Sequence, residues 1–136
     1  MHLKRVLSTE DVDAILEAAL AHARGKAWDV SVAVVDDGGH LLALKRLTGA
    51  SPSTTRIATA KARTAALGRR ESKFYEDMIG QGRLAFLTAP GLDCLLEGGV
   101  PIFADGECVG AVGVSGVKSQ YDSEIAHAGI AAAIVA

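Results

Sequence analysis

Hydrophobic residues recur at helical spacing in two long segments of the first half of the chain. Ser8 is a predicted N-cap with acidic residues close behind it, and Gly25 ends the first predicted helix. A second helix is predicted from a cap at Ser53 or Thr54 to about Arg69. The apolar stripe of the first helix consists of Val12, Ile15, Leu16, Ala19, Leu20 and Ala23.

Two further helices are predicted in the second half. The first is short and covers residues 72–80, and the second begins after a cap at Ser119. The predicted buried side of this last helix consists of Ile125, Ala126, Gly129, Ile130, Ala133 and Ile134.

Apolar runs separated by Asp-Gly turns predict two antiparallel hairpins. The first hairpin joins Asp29 to Asp36 with His40 to Arg46, and the second joins Val100 to Phe103 with Cys108 to Ser115. Pro101 has no backbone N–H, so it requires a strand position where none is needed for pairing. Apolar residues on both faces of the final strand predict that helices cover both sides of the sheet.

These hairpins, with a brief strand from Leu84 to Leu87, predict an antiparallel sheet of about five strands. Helices from the start, middle and end of the chain can cover both faces, so the predicted class is an α+β, three-layer domain. Val109, Ala111 and Gly113 are assigned to one face of the last strand. A glycine inside a strand is tolerated where another backbone or a ligand comes close, so Gly113 predicts such an approach.

Composition narrows the functional classes. The 136 residues are 49% hydrophobic and 22% charged, and we predict one folded domain spanning 1–136. A net charge of −2 gives no electrostatic basis for nucleic-acid binding. Cys94 and Cys108 are interpreted as reduced thiols, the N-terminal residues are too polar for a secretory signal, and no apolar run is long enough for a membrane span. A cytoplasmic protein without a membrane or nucleic-acid partner is therefore predicted.

Four segments carry a resemblance to a known family. They are VAVVDDGGHLLALKRLTGA (Val32 to Ala50), KARTA (Lys61 to Ala65), GGVPI (Gly98 to Ile102) and DGECVGAVGVSG (Asp105 to Gly116). In this order they resemble the GlcG/HbpS family of haem-degrading or haem-binding domains. The same domain is similar to the C-terminal part of PduO-type corrinoid adenosyltransferases.

The resemblance implies a profilin-like α/β/α fold and assembly into dimers or larger homo-oligomers, often octamers. It also implies haem or another tetrapyrrole as the ligand. It identifies no axial ligand for the iron, because no shared ligand position can be carried over to this sequence.

The predicted ligand site lies between the helix that carries Lys61 and the glycine-bearing second hairpin. Lys61 stands among small residues, where its ammonium could bind a haem propionate or another carboxylate; alternatively, its stem packs on apolar surface and the ammonium reaches water. The full predicted ligand-binding set is Lys61, Arg46, Gly98, Gly99, Pro101 and Ser115.

Iron in haem accepts His, Met, Cys or Tyr, and the candidates among the histidines are His22 and His127, each on a predicted helix. No pair among the four histidines has i, i+4 spacing or a carboxylate companion, so a zinc site built by the protein is not expected. The alternative for His22 is a solvent-facing side chain.

Three functions stay open from the sequence. The first is a homo-oligomeric haem- or tetrapyrrole-binding protein. The second is an enzyme that performs acid–base chemistry on a small carboxylated metabolite held by Lys61, with catalytic residues unidentified. The third is a non-catalytic assembly or sensor module.

Overall fold

The computed structural model describes residues 1–133, and the prediction for Ile134 lies outside this range. The helices are α1 (Thr9–Gly25), α2 (Ser53–Gly68), α3 (Ser72–Gly80) and α4 (Ser119–Ala133), with a 3₁₀ helix at Leu84–Thr88. The strands are β1 (Ser31–Asp36), β2 (Leu41–Arg46), β3 (Gly99–Ala104) and β4 (Glu107–Ser115). The predicted α+β class is confirmed.

The strands form one antiparallel sheet in the order β2-β1-β4-β3. Both predicted hairpins are present, and β1 joins them by pairing with β4 from Ser31 opposite Ser115 to Asp36 opposite Gly110. Pro101 lies on the edge strand β3, where a residue without an N–H is tolerated, as predicted.

The prediction of about five strands is wrong for residues 1–133, because Leu84 to Leu87 forms the 3₁₀ helix instead of a strand. Its backbone closes tight turns, with the Phe86 N–H donating to Arg83 O at 3.2 Å and the Ala89 N–H to Phe86 O at 3.1 Å. A short apolar run has no periodicity that separates strand from helix, so the sequence pattern could not decide this element.

Helices pack on both faces of the sheet. On one face, the alanines of α2 pack against Ala33, Val35 and Ala111. On the other, α1 and α4 cover a larger cluster that includes Val32 and Val112. Val109 belongs to this second cluster and not to the predicted face with Ala111, because the β3–β4 pairing shifts between Ile102 and Phe103.

The cap of α1 is as predicted, but the cap of α2 is not. Ser8 accepts from the Asp11 N–H while Asp11 accepts from the Ser8 N–H, a complete capping box. The N-cap of α2 is Pro52, without a side-chain cap hydrogen bond. Thr54 is unavailable because its hydroxyl is 2.8 Å from that of Ser31 and donates to Ser51 O at 2.6 Å.

The strand glycines mark where α2 touches the sheet. A Cβ at Gly113 would lie 2.6 Å from Ala62 N, and one at Gly99 would lie 2.7 Å from the carbonyl carbon of Lys61. The predicted close approach is therefore made by the backbone of α2. The space predicted for a ligand between α2 and the second hairpin is filled by this packing.

Candidate functional site

Lys61 and Asp122 form a buried ion pair between two layers of the fold. Each side chain is only 2% exposed, and Lys61 Nζ lies 3.1 Å from Asp122 Oδ2. Lys61 Nζ also donates to the carbonyl oxygen of Val114 at 3.0 Å. The ammonium is therefore held by two protein acceptors, which differs from both alternatives in the sequence analysis.

Asp122 comes from the first turn of α4, where the helix dipole favours a negative charge. Its Oδ1 accepts a hydrogen bond from the Val117 N–H at 3.1 Å, so both carboxylate oxygens have a partner. Burial raises the pKa of Asp122 above its usual value, by more than the charge and hydrogen bond of Lys61 lower it.

This shift predicts a pH dependence of stability. The unfolded chain releases the Asp122 proton near the ordinary value of 3.8 while the folded chain still holds it, so the contribution of Asp122 to stability falls as pH rises through the folded-state pKa. The test is urea unfolding of the native chain and of Asp122→Asn at a series of pH values above 3.8. We expect the difference between their free energies of unfolding, native minus variant, to decrease as the pH rises.

Asp11→Asn is the matched control. The backbone and hydroxyl of Ser8 lower the pKa of Asp11, so its stabilising contribution is present above the unfolded pKa and is lost as pH falls. The two variants should therefore give slopes of opposite sign. Equal signs would contradict the raised pKa of Asp122.

Gly98 lies against the Lys61 ammonium, and Gly99 lies against the backbone of Lys61. Gly98 has φ +131°, and a Cβ there would lie 2.8 Å from Lys61 Nζ, so glycine is required on both counts. The Gly99 N–H donates to Ser72 Oγ at 2.9 Å, and Gly98 O accepts from the Val114 N–H at 3.0 Å. Because the Gly99 N–H already has an acceptor within the chain, it is not available to bind an anion.

The structure brings only part of the predicted ligand-binding set together. Lys61, Gly98 and Gly99 are in contact, and Ser115, 7% exposed, follows Val114 at the end of β4. Arg46 is exposed at the end of β2, which β1 separates from β4. Pro101 pairs with Ala111 in the middle of the β3–β4 ladder.

Three residues of this region were missed as site residues. Asp122 lies three residues after the predicted cap Ser119, and this position of an acidic residue in the first turn of α4 was the available signal. Ser72 connects α3 to the loop before β3, donating to Leu96 O at 2.6 Å. The buried Thr64 hydroxyl, one turn along α2 from Lys61, has no hydrogen-bond partner within residues 1–133.

The two predicted iron ligands have carboxylate partners from distant parts of the chain. His22 Nε2 lies 2.7 Å from Glu124 Oε2 and His127 Nε2 lies 3.3 Å from Glu71 Oε1, so the sequence assumption of no carboxylate companion is wrong. The side chain of His22 is 30% exposed and that of His127 is 55% exposed.

An aromatic surface adjoins His22. The Trp28 ring centroid is 6.4 Å from that of His22, and Trp28 stacks on Tyr121 with a centroid distance of 4.8 Å. Lys26 Nζ lies 5.9 Å from the centre of the Trp28 ring. A histidine, two stacked aromatic rings and a cation are therefore gathered on one half-buried surface.

This donor set fits haem chemically. The hydrogen bond to Glu124 uses His22 Nε2 and leaves Nδ1 as the nitrogen that could face a metal, in the usual carboxylate–histidine arrangement. Trp28 and Tyr121 offer a flat apolar face for a porphyrin ring, and Lys26 could pair with a propionate. Among the described residues, no group of three or more His, Cys, Asp and Glu side chains could itself hold a metal ion.

These observations define a small α+β protein with a buried Lys–Asp pair and a separate histidine–aromatic surface. Comparison with known proteins places it further: the family model described as "Haem degrading protein HbpS-like" matches residues 7–131. The chain belongs to this HbpS-like family, and the resemblance noted in the sequence is confirmed.

Known relatives agree with this assignment. The protein GlcG of Escherichia coli (strain K12) is 54% identical over 115 residues, which are 85% of each chain. A solved structure of a double mutant of Streptomyces reticuli HbpS has a TM-score of 0.88 and 31% identity, covering 96% of this chain and 89% of that one. The structure of a PduOC:haem complex has a TM-score of 0.85 and 27% identity, covering 94% and 95%.

None of the helices in residues 1–133 is both long enough and apolar enough to cross a membrane.

Proposed function

We propose that this protein binds haem or a closely related tetrapyrrole on the surface formed by His22, Trp28 and Tyr121. The observation that carries the proposal is the His22–Glu124 pair beside two stacked aromatic rings. Membership of the HbpS-like family and the likeness to a protein solved with haem, PduOC, support the same ligand class.

Each side chain has a definite task in this proposal. Glu124 accepts a hydrogen bond from the Nε2–H of His22, which fixes the tautomer and directs the Nδ1 lone pair away from the carboxylate. Trp28 and Tyr121 exclude water from one face of the ring system, and Lys26 neutralises a propionate. Haem, when bound, would supply a redox-active iron.

Titration with haemin, followed by its Soret band, tests this proposal. We expect His22→Ala to remove the band position typical of imidazole ligation and to weaken binding by at least tenfold. His127→Ala is the matched control, because His127 is also a helical histidine paired with a carboxylate, but its ring takes part in none of the aromatic contacts found among residues 1–133. An unchanged spectrum and affinity for His22→Ala would contradict the assignment of His22.

The same titration separates this surface from the site predicted at Lys61. A ligand at Lys61 would have to displace Asp122 or Val114 O from the ammonium, so we assign that position a structural role in the proposal. The variant Lys61→Met/Asp122→Leu removes both charges together and should retain haemin binding. If this variant folds but no longer binds haemin, the binding site should be assigned to Lys61 and not to the His22 surface. The acid–base enzyme hypothesis, which needs Lys61 to hold a substrate carboxylate, stays a prediction.

We also propose that the protein forms a homo-oligomer. Strand β2 is a sheet edge with three exposed leucines, Leu41, Leu42 and Leu44, at 49%, 43% and 38% exposure. An apolar edge strand tends to pair with another chain unless it is covered. Size-exclusion chromatography with light scattering tests this, and a mass equal to one chain at micromolar concentration would contradict it. Octamer assembly and the profilin-like classification stay predictions.

A further inference from the structure

A cavity beside α3 shares no residue with the histidine–aromatic surface. Its walls are α3, the 3₁₀ helix and the loop that precedes β3, and together they form a cavity of about 290 Å³ that is open to solvent on one side. Five of its seven lining residues are aliphatic: Ile79, Leu87, Leu92, Leu95 and Leu96. Small-molecule sites in proteins have this character, a mainly apolar hollow with a few polar groups.

Hydrogen bonds hold the walls of this cavity in place. Ser72 at the start of α3 donates to Leu96 O at 2.6 Å and accepts from the Gly99 N–H at 2.9 Å. The Glu97 N–H donates to Glu76 Oε2 at 3.3 Å, which ties the same loop to the middle of α3. The hollow is therefore preformed, so a ligand does not have to order the loop on binding.

Both charged residues that line the cavity are acidic. Glu76 uses one oxygen for the Glu97 N–H, which leaves its other oxygen without a partner among the hydrogen bonds described. Asp93 is 60% exposed, and its nearest cation is Arg63 at 3.8 Å, which is long for a hydrogen bond. Lys73 lies nearby on α3, but both oxygens of Asp77 hold its ammonium.

We propose that this cavity binds a small apolar amine, with the apolar body among the leucines and the ammonium between Glu76 and Asp93. An anion would be repelled by the two carboxylates there, and a neutral apolar molecule would make no ionic contact with either of them. At roughly 30 Å³ for each water in the liquid, the volume has room for about ten non-hydrogen atoms. The proposal does not depend on haem binding, because it uses none of the same residues.

The probe is phenethylammonium, compared with 2-phenylethanol and phenylacetate, which keep the phenyl ring and change only the charge. Binding is followed through the backbone amide shifts of residues 76–79 and 92–96 in the full chain. We expect the amine to bind about tenfold more tightly than the alcohol, with phenylacetate weaker than both. Equal affinities for the three probes, or shifts confined to other residues, would overturn the proposal.

Variants locate the interaction. Glu76→Gln and Asp93→Asn should each weaken amine binding about three- to fivefold, in line with partly exposed ion pairs. Leu92→Trp should abolish it by filling the hollow. Glu17→Gln, which removes an exposed carboxylate on α1 that does not line the cavity, should leave amine binding unchanged. An equal loss in this control would show a nonspecific charge effect and contradict the site.

A second copy of the chain could instead cover the exposed Leu87 and Leu96, which are 65% and 47% exposed. In that case the amides of the cavity would shift with protein concentration in the absence of amine, and the amine would bind less tightly as the concentration rises. That result would also overturn the proposal. Haemin titration reads the Soret band and not these amides, so failure of either proposal can be recognised separately.

Discussion

Replacing Asp122 with alanine is expected to lower the free energy of unfolding by about 3–5 kcal/mol at neutral pH. The substitution leaves the Lys61 ammonium, 2% exposed, with only the Val114 carbonyl as a partner. It also removes the acceptor of the Val117 N–H, just before α4. The cost comes mainly from a buried charge without a counter-charge. Urea unfolding followed by circular dichroism measures it.

The double variant Lys61→Met/Asp122→Leu is the control that separates the charge from the packing. It removes both members of the pair and replaces them with apolar side chains, so it should be much less destabilised than Asp122→Ala. Lys73→Met, which breaks an exposed pair with Asp77, should leave the free energy of unfolding nearly unchanged, because water screens the two charges. A double variant as unstable as Asp122→Ala would show that the pair does not act through its charge.

Gly113→Ala is expected to cost about 3 kcal/mol or more, or to prevent folding altogether. The added Cβ would lie 2.6 Å from Ala62 N and against the carbonyl oxygen of Ala58, well inside ordinary van der Waals contact. These are backbone atoms of α2, so no side-chain rotation can relieve the overlap. The helix could give way only by moving as a whole from the alanine-rich face of the sheet.

Gly80→Ala is the matched control for this substitution. It adds the same methyl group at the end of α3, where a Cβ would meet no atom within 4 Å. It should therefore be neutral or raise stability by up to about 1 kcal/mol, because alanine loses less backbone freedom on folding. If the two variants unfold at the same urea concentration, the tight contact of α2 with Gly113 is refuted.

Local patterns in the sequence were enough for most of the fold. The Asp-Gly turns at Asp37 and Asp105 and the runs on either side of them predicted both hairpins, and the stripe from Val12 to Ala23 predicted α1. The strand prediction for Leu84 to Leu87 failed because a run of four residues is too short to show whether its hydrophobic periodicity is that of a strand or of a helix. The pairing shift that moves Val109 to the other face depends on the register with β3, which no single strand encodes.

The site was less predictable, because its contacts join distant residues. The environment of Lys61 predicted a carboxylate from a ligand, whereas the carboxylate beside it in the structure belongs to Asp122, 61 positions away. His22 and Glu124 are separated by 102 positions and His127 and Glu71 by 56, so spacing rules for helices could not show either pair. The glycines indicated a close approach, and the approaching group was the backbone of α2.

The contact of α2 with the strand glycines limits how this protein can respond to any bound molecule. At Gly99 and Gly113 no side chain separates α2 from the sheet, so the two cannot slide past each other without a steric clash. We therefore expect α2 and the sheet to move together as one rigid body. Adjustments on binding must then arise in the α1–α4 layer, which carries His22, or around α3 and the loop before β3. Amide hydrogens of α2 and β4 should consequently exchange only when the whole molecule unfolds.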